Sequence, residues 1–280
     1  KLLKKFLGKK GTDFIRTIVY HHSKSLIISK NNRSFEVWTS SLRSYNFWKS
    51  FNAWEPTTFK IFERFLNPNH SYIDIGAWIG PTVLYGCQIA KHCYALEPDP
   101  VAFSELEYNI KKNPQLGKQI TAYRKCITDH VGTVKLYPVQ GKIENAGGSS
   151  SSIFNNGEYF WEVEATTLTN FINSESVLDC NFIKIDVEGA EFIIISNSMD
   201  YLKRYKPTLL IEIHPMFVDE PIEKITRLIE LLSIYKKFYD YNLNEISNEE
   251  LLKMDLTKTI QILVTDLNPK SISDRKSFTD

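Results

Sequence analysis

Two apolar runs in this sequence end in side chains that can do chemistry. Lys184-Ile185-Asp186-Val187-Glu188-Gly189-Ala190-Glu191 closes the first, and Glu212-Ile213-His214-Pro215 closes the second. Side chains alternate along a strand, so Asp186 and Glu188 share one face, as do Glu212 and His214. Neighbouring strands roughly 5 Å apart would bring all four into one cleft. Acids beside an imidazole can remove a proton from a hydroxyl, orient it, or hold a divalent metal such as Mg²⁺, here through Asp186, Glu212 and His214. The reading adopted is that His214 is a general base oriented by Glu212, while Asp186 and Glu188 orient the acceptor hydroxyl. Asp186 has a competing structural role as the cap of a helix opening near Gly189, and Glu191 reads as a first-turn charge on that helix's dipole. Lys184, inside a buried strand, demands an acidic partner.

A second constellation lies upstream. Asp74-Ile75-Gly76-Ala77-Trp78-Ile79-Gly80 ends another apolar run, and Pro81 suits the first position of a helix. The spacing Gly-x-x-x-Gly lacks the middle glycine that a dinucleotide pyrophosphate requires, which points to a nucleoside ligand without phosphates, S-adenosylmethionine. Glu97, 21 residues beyond Gly76 in Leu96-Glu97-Pro98-Asp99, is placed to accept both ribose hydroxyls.

These residues need strands that end where the chemistry begins. Apolar runs predict strands over 72–75, 93–96, 119–126, 131–137, 160–165, 182–187, 208–213 and 258–265. Helical periodicity falls between them, over 81–91, 101–112, 190–202 and 222–232. Alternating strand and helix predicts an α/β fold with a mostly parallel sheet, whose strand carboxyl ends hold the ligand. Before it, 25–48 reads as short antiparallel strands turning at Asn31-Asn32, followed by a helix from Pro56 that stops before Pro68.

The motifs at 74–80, 96–99, 183–191 and 211–215, with Trp54-Glu55-Pro56 upstream, Thr128-Asp129-His130-Val131-Gly132, and Thr167-Leu168, resemble the FkbM family of S-adenosylmethionine-dependent methyltransferases. The resemblance runs from about Trp54 to Pro215. It implies a class I, Rossmann-like sheet of seven strands with an antiparallel last strand, and methyl transfer to oxygen on a sugar, glycan, polysaccharide or glycosylated natural product. It further implies that Asp74, Gly76, Ala77 and Gly80 line the methionine side, that Glu97 and Pro98 meet the ribose, that Cys126, Ile127 and Thr128 lie near adenine, and that Asp186 adjoins the cofactor. Family members usually carry Asn where this chain has Trp78. The expected division is an N-terminal cap at 1–52, a methyltransferase domain at 53–267 and a polar tail at 268–280.

Composition bounds the alternatives. With 34 basic and 33 acidic residues, the net charge is +1, and 42% of the 280 residues are hydrophobic. That profile fits a folded domain and offers no basic surface for nucleic acid. A hydroxylated carbohydrate acceptor fits it. Cys87, Cys93, Cys126 and Cys180 lack zinc spacing and read as free thiols of a cytoplasmic protein. No run reaches the roughly 20 apolar residues of a membrane span, and Lys1 to Lys10 reads as a solvated terminus. Trp38, Trp48, Trp54 and Trp161 are candidates for stacking on sugar rings, and Ser149 to Ser152 for a lid. Two rival readings are a nicotinamide-dependent sugar oxidoreductase and a non-catalytic Rossmann module of a larger glycan-synthesis protein.

Overall fold

The computed structural model describes residues 25–138, 151–154 and 156–267. The described residues begin with a hairpin, β1 (Ser25–Lys30) and β2 (Arg33–Trp38), turning at Asn31 and Asn32, which both take positive φ as such a tight turn requires. A capping box at Ser41 starts α1 (Leu42–Ser50), and Pro56 opens α2 (Pro56–Phe65), which buries Phe59, Phe62 and Phe65 and ends before Pro68 as expected. Strand β3 (Ser71–Ile75), α3 (Pro81–Gly86), β4 (Cys93–Leu96), α4 (Pro100–Lys112), α5 (Pro114–Gly117) and β5 (Ile120–Tyr123) follow. Then come β6 (Cys126–Ile127), β7 (Gly132–Leu136), β8 (Trp161–Thr166), α6 (Leu168–Ser174) and β9 (Cys180–Asp186). The chain continues through α7 (Glu191–Ser196), α8 (Met199–Tyr205), β10 (Thr208–Ile213), α9 (Pro221–Leu232), β11 (Lys237–Tyr239), β12 (Glu245–Ile246), α10 (Asn248–Leu252) and β13 (Ile260–Thr265).

The main sheet runs β12-β11-β13-β10-β9-β3-β4-β5. Strands β3, β4, β5, β9 and β10 are parallel, and β13 enters antiparallel against β10. This is the expected Rossmann-like methyltransferase sheet, with an extra two-residue edge, β12, paired to β11. Chain order reverses between β3 and β9, and a crevice opens at such a switch point beyond the carboxyl ends of the strands. Every residue of β3 and β10 is buried, and each fully buried Ile or Leu there contributes about 1.5–3 kcal/mol.

Several boundaries differ from the sequence reading. The run at 119–126 divides into β5 in the main sheet and β6 in a separate sheet ordered β6-β8-β7, because the exposed Arg124 and half-buried Lys125 cannot continue a buried strand. The helix expected over 81–91 stops at Gly86, where an added Cβ would meet the Tyr72 hydroxyl at 2.4 Å. The helix expected over 190–202 is two, α7 and α8, breaking at Asn197 and Ser198. Strand β11 is too short to register as a period. The Ser149–Ser150 part of the expected lid, and the tail at 268–280, lie outside the described residues.

The hairpin is built into the core. Phe35, Val37, Trp48 and Phe51 share one buried cluster with Phe59, Phe62, Tyr72 and Leu84. Asparagines of α4 and its end satisfy the backbone of β2: Asn109 Oδ1 accepts from Trp38 N at 2.7 Å, and Asn113 Oδ1 accepts from Glu36 N at 2.8 Å. Among the described residues no helix is long and apolar enough to cross a membrane, and all four cysteines are free thiols.

Candidate active site

One cleft of about 260 Å³ sits at the switch point. Its first side is made by the turn after β3. The backbone N–H groups of Gly76 and Ala77 both donate to Leu96 O, at 2.9 and 3.0 Å, tying the turn to β4. Gly76 has φ 86°, and a Cβ there would stand 1.8 Å from the Asp186 carbonyl, so only glycine lets the two strand ends meet. Trp78 takes a left-handed φ of 48° although it is not glycine. Its N–H donates to Glu97 Oε2 at 2.7 Å, while Glu97 Oε1 accepts from Asp99 N at 2.8 Å. The Glu97 carboxylate is therefore held by backbone on both oxygens, and burial pushes its pKa up to about 8. Asp99 caps α4 through Val101 N and Ala102 N and receives the Ser151 hydroxyl at 2.6 Å. Beside Glu97, Leu96, Cys126, Ile127, Leu136 and Ile153 make an apolar slot.

The second side is made by the ends of β9 and β10. Lys184 is almost fully buried, with its Nζ 3.0 Å from Asp186 Oδ2 and 3.6 Å from Asp74 Oδ1. Despite burial, the neighbouring charges of Asp186, Asp74, Glu212 and Glu55 raise the lysine pKa, so it stays an ammonium. Glu212 is buried beside Asp186 and Glu55, and burial drives its pKa far up; its Oε1 accepts from Gln261 Nε2 at 3.2 Å. His214 Nδ1 donates to Glu191 Oε1 at 2.7 Å. Its Nε2 faces the cleft, 3.7 Å from Asp186 Oδ1 and 3.8 Å from Glu188 Oε2. The Glu191 bond and the surrounding acids outweigh burial and raise the His214 pKa to about 9.

A third wall comes from the N-terminal elements. Phe47 lies edge-on to Trp78 with ring centroids 4.5 Å apart and to Trp54 at 5.2 Å, and Glu55 follows on the same wall. The buried Lys30 of β1 donates to Phe51 O at 3.1 Å and Trp54 O at 2.6 Å, which fixes the segment carrying these side chains.

Of the residues predicted for the cofactor, Gly76, Ala77, Glu97, Pro98, Cys126, Ile127 and Asp186 line the cleft. Asp74, Gly80 and Thr128 do not. Asp74 is fully buried beneath Lys184, Gly80 starts α3 at φ 94° against Leu106, and Thr128 turns its hydroxyl to Asp129. All four predicted catalytic residues, Asp186, Glu188, Glu212 and His214, line the cleft. The expectation that Glu212 orients His214 is corrected: Glu191 does so. Glu188 at φ 54° and Gly189 at φ 104° fold the chain back before α7, carrying Glu191 inward, where it also accepts from Gly189 N. Asp186 does not cap that helix, whose cap position is Ala190. Of the expected stacking tryptophans, Trp54 reaches the cleft, whereas Trp48 is core and Trp38 packs on Tyr108. Sequence reasoning gives Phe47 and Glu55 no role and Glu191 only a dipole role. Glu55 and Glu191 both carry a signal, lying within the Trp54-Glu55-Pro56 and 183–191 motifs, whereas Phe47 carries none.

The donor set fits an adenosyl sulfonium cofactor. The slot suits a purine, Glu97 retains lone pairs for ribose hydroxyls, and the acids suit the positive charges of an S-adenosylmethionine. It does not fit a divalent ion as well. Ligand atoms of Asp186, Glu212 and His214 lie within 4.8 Å of one another, but the Lys184 ammonium already sits on Asp186 and repels a second cation there.

No curated protein matches the chain by sequence. Among solved structures, the methyltransferase FkbM from Methylobacillus flagellatus KT aligns with a TM-score of 0.45 and 14% identity, over 91% of this chain and 60% of that one. This chain thus spans 60% of that protein's resolved length. The Methanococcus jannaschii fibrillarin pre-rRNA processing protein aligns at 0.43 and 13% identity, over 86% of this chain and 83% of its own. The precorrin-6y C5,15-methyltransferase from Geobacter metallireducens GS-15 aligns at 0.40 and 11%, over 76% and 87%. Residues 74–243 match the family model for the methyltransferase FkbM domain, from the end of β3 to beyond β11. With more than half its length inside that match, the chain belongs to the FkbM methyltransferase family.

Proposed function

We propose that this protein transfers the methyl group of S-adenosylmethionine to a hydroxyl oxygen of a sugar, a glycan or a glycosylated small molecule. The observation that carries this reading is the His214–Glu191 pair, whose free Nε2 opens into the same cleft as Glu97 and the Gly76 turn. Bound S-adenosylmethionine supplies an electrophilic methyl group. The protein's task is to hold the acceptor oxygen in line with it and to take the hydroxyl proton. His214 receives that proton on Nε2 when its imidazole is neutral, so turnover should rise with pH toward its pKa of about 9, and the Glu191 carboxylate stabilises the imidazolium that forms. Glu188 and Asp186 orient the hydroxyl. Phe47, Trp54 and Trp78 offer aromatic faces to the apolar side of a sugar ring. The cleft's acids favour a neutral acceptor over a phosphate-rich one.

The test is incubation with trideuteromethyl cofactor and a panel of nucleotide sugars, oligosaccharides and glycosylated small molecules, read by mass spectrometry. Gain of one labelled methyl ether supports the reading. Labelling of nitrogen or carbon, or of RNA in a parallel arm with no carbohydrate labelled, would overturn it.

A further inference from the structure

Glu55 lies outside residues 74–243, yet its side chain is part of the cleft wall. It occupies the cap position of α2 without capping it. An acid there would ordinarily accept from the first N–H groups of the helix. Instead the backbone takes a left-handed φ of 39°, unfavourable for a glutamate, and the carboxylate is turned toward the Thr58 hydroxyl, which donates to Oε2 at 3.1 Å. Lys30 holds the preceding carbonyls in place, so the strained junction is fixed from behind.

Among the described residues no ammonium or guanidinium lies within ion-pair distance of Glu55. Lys184 is engaged by Asp74 and Asp186, and Lys30 by backbone oxygens. Burial, and after it the nearby charge of Asp186, push the Glu55 pKa up to about 7, which the charges of Lys184 and Lys30 offset only in part. A cation from outside the chain would restore the charge balance.

The sheet says which cation. Glu97 follows β4, Gly76 follows the neighbouring β3, and Asp186 ends β9, next in order. The Glu97 and Asp186 strands are two spacings apart, roughly 10 Å, a distance the methionine of an extended adenosylmethionine spans from its ribose. Gly76 abuts the Asp186 carbonyl, and Glu55 stands close enough to Asp186 and Lys184 to feel both charges.

We propose that Glu55 binds the α-ammonium of the cofactor's methionine, making the N-terminal segment part of the cofactor site. This rests on the methyltransferase reading above. The assignment also separates roles on the third wall: Glu55 serves the cofactor, while Phe47 and Trp54 serve the acceptor.

Calorimetric titration with S-adenosylhomocysteine and with its des-amino analogue, in which hydrogen replaces the α-ammonium, tests this on the wild type and on Glu55→Gln. A charge-assisted hydrogen bond predicts that the wild type prefers S-adenosylhomocysteine by about 10-fold or more, and that Glu55→Gln erases the preference. Glu55→Asp should retain part of it. Equal binding of both ligands by the wild type would overturn the assignment whether or not the variants fold. So would an equal loss on both ligands in Glu55→Gln, or no loss. Failure of the wild type to bind S-adenosylhomocysteine at all would instead overturn the methyltransferase reading, and the assignment with it.

Discussion

The Glu97 end of the cleft and the His214 end hold their acids by opposite means. Glu97 accepts one backbone N–H on each oxygen, from Trp78 and Asp99. Asp186 and Glu212 are held by side chains, Lys184 and Gln261, and Glu191 is shared between the His214 imidazole and the backbone N–H of Gly189. A backbone-held carboxylate is fixed by the path of the chain and changes little when its neighbours are substituted. A side-chain network is coupled, so removing one member leaves others buried and unpaired. The first arrangement suits binding of an invariant cofactor. The second suits proton movement.

The comparison breaks if the ends cannot be perturbed separately. The largest separable effect is expected for His214→Ala: turnover on a true acceptor should fall about 10²–10⁴-fold, with S-adenosylhomocysteine affinity within threefold of wild type. A matching collapse of affinity by calorimetry would mean that the two ends act as one.

Lys184→Met should cost about 3 kcal/mol or more in urea denaturation, because the fully buried Asp74 and the half-buried Asp186 then lose their counter-charge. A loss below about 1 kcal/mol would show that the network is not coupled. Glu97→Gln should weaken S-adenosylhomocysteine about tenfold while leaving the chemistry of bound substrates intact. If turnover at saturation fell instead, Glu97 would belong to the other end.

The smallest effect is a pH dependence that sharpens the contrast. The folded pKa of His214, about 9, lies above its ordinary 6.5. Its stabilising contribution is therefore complete below about 6.5 and lost as pH rises through about 9. The melting temperature of His214→Gln should fall below wild type by a few degrees at pH 6, and the gap should close by pH 10. Constant separation across that range would remove charge from the account of this pair.

Much of the scaffold was legible because its signals are local. Continuous apolar runs mark β3, β9 and β10, and the interruption of those runs by Asp186, Glu188, Glu212 and His214 marks their ends. Glu191 was misread for an equally local reason. An acid at the start of a helix ordinarily serves the dipole, and nothing in the linear spacing reveals that the Glu188–Gly189 turn swings this one against β10. Thr128 shows the converse: adjacency to Cys126 and Ile127 suggests a place in the cleft, but Thr128 lies past the end of β6 and turns its hydroxyl to Asp129.

The sequence by itself determined the α/β alternation, the turn that needs Gly76, and the set of acids and imidazole at strand ends, since each follows from residue type and short-range period. Tertiary structure alone decided that Glu191 rather than Glu212 orients His214, that Lys184 takes the centre of the acid cluster, and that Phe47, Trp54 and Glu55 close the cleft. Those pairings join residues far apart in the chain, and only packing of the strands, the backfolded turn and the Lys30 anchor brings them within hydrogen-bonding reach.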